Sequence, residues 1–154
     1  MSVLALSAAP VSAQGASDGI SGAWKFKSYP FEDNCVMAGI ITLRPAARKD
    51  EFTCSFVTQS HCRSPSGFDR ESWSVKQSCE ATLSGKRLQV GSTVEKIEEH
   101  RIFGEPAPPE LSGNYLPDNF DLLIEIPGAQ MGGRIFDGVR RVPVRLWREE
   151  AQTS

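Results

Sequence analysis

Between Trp24 and Leu146 the chain repeats one pattern, in which apolar and polar residues alternate over short runs broken by glycine, proline and aspartate. Trp24, Phe26 and Ser28 alternate with Lys25 and Lys27. Leu88, Val90, Ser92 and Val94 alternate with Gln89, Gly91 and Thr93, after a turn at Ser84-Gly85. Phe120, Leu122, Ile124 and Ile126 alternate with Asp121, Leu123 and Glu125 up to Pro127-Gly128. The run MGGRIF follows, then a turn at Asp137-Gly138. Val142, Val144 and Leu146 finally alternate with Arg141, Pro143 and Arg145. Three further strands are predicted over 36–44, 51–59 and 72–83, around the polar turns PAARKD and RSPSGFDR. A period of two puts one face of each run in a core and the other in water, as in antiparallel sheets.

Two segments depart from this pattern. EKIEEHRIF (95–103) reads either as a continuation of the preceding strand or as a brief helical turn. GEPAPPELSGNYLPDN (104–119) is a proline- and glycine-rich loop, long for a compact domain, and such loops are often functional. Pro143 inside the last run suggests an edge position or a bulge. The expected fold is all-β: about eight antiparallel strands closing into an up-and-down barrel, which removes exposed edges. A sandwich is the alternative, but its crossovers need longer connections than these tight turns. The barrel is expected to form one domain over 21–150, with a tail at 151–154.

The four cysteines, Cys35, Cys54, Cys62 and Cys79, contain no C-x-x-C pair, which argues against structural zinc. Three connectivities are open to them. Pairing 36–44 with 51–59 about PAARKD leaves Cys35 and Cys62 facing each other at the open end of the hairpin. Pairing 51–59 with 72–83 about RSPSGFDR sets Cys54 beside Cys79, on apolar faces shared with Phe52, Phe56, Trp73 and Val75. The expected bridges are therefore Cys35–Cys62 and Cys54–Cys79, each stabilising by about 3–4 kcal/mol in the loop-entropy account.

Composition and the N-terminus add compartment and exclusions. With 17 basic and 19 acidic residues, bulk charge does not favour nucleic acid or an anionic membrane. Arg140, Arg141, Arg145 and Arg148 cluster late but are diluted by Asp137, Glu149 and Glu150, so a solvated strand face is expected over an anion patch. The opening carries no charge before Asp18, and its apolar run is too short to span a bilayer. Small residues at 11–13 form an A-x-A-like cleavage pattern before Gln14, although a basic n-region is missing. Residues 1–13 therefore read as a signal-peptide-like segment and 14–20 as a flexible arm. The location expected is periplasmic or extracellular, where paired cysteines are at home.

Catalytic motifs are not found: there is no G-x-S-x-G, S-x-x-K, H-E-x-x-H or phosphate-cradling loop. His61, beside Cys62, reads as a loop residue, and neither it nor His100 has a partner at metal-ligand spacing. Asp118-Asn119 reads as a turn that opens a strand, with Asp121 on that strand's outer face. No enzyme activity, metal or cofactor is expected.

The Gly22-Ala23-Trp24 start, followed by an all-β meander that ends in a basic strand, resembles the lipocalin and calycin barrels. Without the long C-terminal helix of full-sized lipocalins, the chain is closer in plan to the small lipocalin-like domains of bacterial envelopes. The resemblance implies that Trp24 plugs the closed end of the barrel against an arginine from near the last strand, Arg148 or Arg145. It also implies that Gly22 lets the backbone pass close to the barrel floor. The function it suggests is binding of a small apolar ligand in the barrel or at its mouth. The bacterial periplasmic metalloprotease inhibitors resemble the same plan, and they imply a protein-interaction module whose arm, QGASDGIS (14–21), enters a protease cleft. A purely structural envelope protein is the third reading.

Overall fold

The computed structural model describes residues 19–32 and 34–149. The signal-like segment, residues 14–18 of the arm and the tail lie outside the described residues. The chain forms β1 (Gly22–Ser28), β2 (Cys35–Pro45), β3 (Glu51–Arg63), β4 (Asp69–Ser84) and β5 (Arg87–Ile102). These are followed by a two-residue β6 (Glu105–Pro106), β7 (Asn119–Ile126), β8 (Gln130–Phe136) and β9 (Arg141–Arg148). Each strand pairs antiparallel with its neighbour, β9 returns to β1, and β4 pairs with β5. With β6 only an appendage on β5, the result is a closed eight-stranded up-and-down barrel.

The alternation that predicts the strands also builds the interior. Trp24, Phe26, Leu43, Phe56, Leu122 and Leu146 point inward and are buried. At mid-height Phe26 of β1, Phe56 of β3 and Phe120 of β7 meet edge-on, with centroids 5.3–5.9 Å apart. Rings contributed from opposite walls fill the lumen, and each stabilises by about 2–3 kcal/mol through burial alone. Gly39 makes room for them: a Cβ there would collide with the Phe26 ring and the Val57 carbonyl oxygen.

Both expected disulfides are present, between residues in direct cross-strand register. Cys35–Cys62 joins β2 to β3 at the end where β1 finishes, called the mouth here. Cys54–Cys79 joins β3 to β4 nearer the opposite, closed end.

Several expectations are corrected. β3 runs past Gln59 to Arg63, so His61 is an exposed strand residue and not part of a loop. EKIEEHRIF takes the first of its two expected forms and continues β5, but two register shifts leave Glu95 and Glu98 without a register partner, so Val94, Ile97 and His100 fall opposite Gln77, Val75 and Trp73. A spacing of three replaces a spacing of two, and this is why the segment imitates a helical turn. Pro143 sits inside the closed barrel, not on an edge. It accepts a hydrogen bond at its carbonyl from the Tyr29 amide just past the end of β1, so its nitrogen also points where the β1 ladder has finished. The folded body also begins earlier than expected, because Ile20, assigned to the arm, is buried in the core.

Candidate functional site

The closed end is sealed by a small set of side chains. Trp24 is fully buried, and the Arg148 guanidinium lies 4.3 Å from the centre of its ring. Arg148 donates to the Ser21 carbonyl at 2.6 Å and to that of Gly19, while the Trp24 indole N–H donates to the Ile20 carbonyl at 2.8 Å. Gly22 has φ +113°, and a Cβ there would lie 2.9 Å from an Arg148 nitrogen. Of the two candidate arginines the partner is therefore Arg148. Arg145 is exposed on the outer face, opposite Lys27 and Gly132. Burial pulls the Arg148 guanidinium down from its ordinary value. Every polar group here is used to hold the plug, so the arrangement is structural.

At the mouth a cavity of about 210 Å³ is walled by Phe31, Trp73, Tyr115, Arg70, Glu71 and Arg140, among others. Beside it lies Asp118, only 2 % exposed. Its carboxylate accepts from Gln77 at 2.7 Å, Tyr115 at 2.8 Å and Thr58 at 2.9 Å, and its amide donates back to Gln77. All three side-chain donors are neutral. Burial raises the Asp118 carboxyl above its ordinary value, and the donors offset this only in part. Burial, reinforced by that carboxylate, pushes the Tyr115 hydroxyl up as well.

Next to this network His100 stacks on Trp73, with centroids 3.4 Å apart. One ring nitrogen is 2.9 Å from the Ser112 hydroxyl and the other 3.0 Å from Glu71. A serine, a histidine and a carboxylate in a chain have the order of a nucleophile, base and orienting acid. Here the ring is buried against Trp73, and neither Ser112 nor His100 lines the cavity. The chain of bonds ties the loop that carries Ser112 and Tyr115 to the barrel rim. Across the mouth, Arg140 pairs with Asp137 and Glu32 and covers the Phe31 ring. Burial would raise Asp137, but the amides of Arg140 and Val139 and the Arg140 guanidinium together hold it below its ordinary value. The mouth thus satisfies its own charges.

A larger opening than the mouth lies outside the barrel. A groove of about 760 Å³ crosses the outer faces of β9, β1, β2, β3 and β4. Its floor is one cross-strand row, Trp147–Lys25–Ile40–Val57–Lys76, in which each residue is the register partner of the next. Ile40 is 42 % and Trp147 38 % exposed. Gly39, Phe26 and Phe56 also line it, although both rings are buried in the lumen. A second hollow of about 560 Å³ shares Lys27, Ala38, Gln59 and His61 with it and continues toward the mouth.

No protein-family model, curated protein or solved structure matches the chain. The described residues contain no cluster of three or more metal-ligating side chains, and no helix long and apolar enough to cross a membrane.

The four cysteines pair as expected, and of the two arginines that the resemblance left open, Arg148 is the one that lies over Trp24. Asp121, expected on an outer face, pairs there with Arg87. Reasoning misses Asp118 as a buried charge, because Thr58 and Gln77, which hold it, are remote in sequence. It also misses the groove. The alternation marks Ile40 and Val57 as outward residues, and two apolar side chains on wet faces of adjacent strands were the available signal.

Proposed function

We propose that the protein is a binding protein, not an enzyme, and that its apolar ligand sits in the outer groove. The observation that carries this is the contrast in filling. The lumen is occupied by Phe26, Phe56 and Phe120, and the mouth is small and charge-satisfied, whereas the outer groove is large and has an apolar floor. Its volume lies in the range typical of ligand sites. The Trp24–Arg148 plug supports the lipocalin-like reading of the barrel. The two disulfides support an oxidising, exported location. A second reading, a protein partner on the same face, is favoured by the exposed Trp147 and Ile40, since aromatic anchors with apolar neighbours mark interfaces.

The three tryptophans provide the test, because Trp24 reports on the closed end, Trp73 on the mouth and Trp147 on the groove. A neutral lipophilic dye is expected to perturb Trp147 emission and to lose its binding in Ile40→Glu. Dye binding that survives Ile40→Glu and reports through Trp73 would move the seat to the mouth. No dye binding at all would remove the ligand reading.

A further inference from the structure

We infer that the ligand of the outer groove is a single-chain amphiphile with an anionic head, its tail lying across Ile40 and Val57 and its head between Lys25 and Lys27. This inference rests on the groove being the binding seat and adds the chemistry of what it takes. The first argument is charge. The residues lining the groove include Lys25, Lys27 and Lys76 and no carboxylate, although the chain as a whole has a net charge of −2. Lys76 is partnered by Glu95 at 3.8 Å, but among the described residues neither Lys25 nor Lys27 makes an ion pair. Lys27 also lies directly opposite Arg145, and Glu125, which lies over the neighbouring Gly132, makes no ion pair with that arginine. Like charges facing each other across two strands are unfavourable, and an anion between them would relieve the repulsion.

The second argument concerns what the floor can satisfy. The groove lies on the face of a closed barrel whose backbone donors and acceptors are already used in its ladders, so an extended peptide cannot add itself as a strand. A peptide laid on Ile40 and Val57 would leave some of its own backbone groups without partners. An acyl chain has no such groups. The groove is also long enough for the tail, since three strand spacings from β1, where the head sits, to β4 come to about 14 Å, and the second hollow extends it.

The test titrates the intact chain with dodecanoate, dodecanol and dodecyltrimethylammonium, each below its micelle concentration, following Trp147 emission. Wild type is expected to bind dodecanoate more tightly than dodecanol, and the cation least. In Lys25→Gln/Lys27→Gln, dodecanoate affinity is expected to fall about five- to tenfold, with dodecanol unchanged. These are exposed side chains, so the variant keeps the fold. Equal binding of dodecanoate and dodecanol, or carboxylate affinity untouched by the double substitution, would overturn the anionic head and leave the apolar groove standing. If no amphiphile binds, both readings fail. Binding to anionic phospholipid vesicles without binding of free dodecanoate would make this face a membrane contact and would also overturn the inference.

Discussion

At the closed end of the barrel an indole, a guanidinium and three carbonyl groups form a plug around Trp24. At the mouth a buried carboxylate, Asp118, gathers Thr58 and Gln77 from distant strands and Tyr115 from three residues away. Each end has its own disulfide, Cys54–Cys79 toward the plug and Cys35–Cys62 at the rim. The closed end relies on burial and on a cation that stays protonated, so it should respond little to pH. The mouth relies on partnered polar groups, the carboxyls of Asp118 and Asp137 among them. Stability is set by packing at one end and by hydrogen bonding at the other, and the groove of the outer face belongs to neither.

The largest effect should come from tryptophan removal. Trp24→Ala empties the plug and is expected to cost about 3–5 kcal/mol. Trp73→Ala, at a half-buried site, gives up the stack on His100 and should cost about 1–2 kcal/mol. Urea unfolding of both variants measures the difference, and equal costs would mean that the two ends are not built on different terms. The disulfides come next. The bridges span 27 and 25 residues, so the loop-entropy account assigns both about 3–4 kcal/mol. Removing either pair by double alanine substitution should therefore cost nearly the same globally. Hydrogen exchange separates them, because loss of Cys35–Cys62 should open rim amides around 60–72 while leaving those beside Trp24 protected.

A pH titration sharpens the contrast further. Burial raises the Asp118 carboxyl above its ordinary value in the folded state, so the folded protein holds that proton more tightly than the unfolded chain does. Stability linked to this group is therefore present at low pH and lost as pH rises through the raised value. The lowered carboxyls of Asp121 and Asp137 work in the opposite direction, so the informative quantity is wild type minus Asp118→Asn. That difference should move in favour of the variant as pH climbs from the ordinary carboxylate range. A difference that stays flat across this range would mean that Asp118 is not held as a buried charge.

The strands, their register and both bridges were legible because period-two alternation and hairpin spacing are local signals, and Cys35 opposite Cys62 follows directly from the turn between them. Trp24 was legible through a three-residue start motif. The tail of β5 stayed between strand and helical turn, because Glu95 and Glu98, which have no register partner, turn a strand's period into a helix's. Asp118 looked like a turn residue because nothing adjacent to it shows that Thr58 and Gln77 arrive from 60 and 41 positions away. The groove exists only once five strands are laid side by side, and no single run contains it.

The smallest effect comes from one hydroxyl. Ser92 lies opposite Cys79 on β5, and its amide donates to Asn119 at 2.8 Å, but its side-chain oxygen is buried without a partner. Thr58, by contrast, donates its hydroxyl to Asp118. Replacing each with an apolar residue is nominally the same change, the deletion of one buried hydroxyl. Ser92→Ala removes an unsatisfied polar atom and keeps the amide bond to Asn119, so it should stabilise by about 0.5–1 kcal/mol. Thr58→Val takes a donor from a buried carboxylate and should destabilise by about 1–2 kcal/mol. Urea midpoints of the two variants decide the matter. Opposite signs would show that the hydroxyls at the mouth are held for their bonds, while a loss from Ser92→Ala as large as that from Thr58→Val would mean that Ser92 is partnered after all.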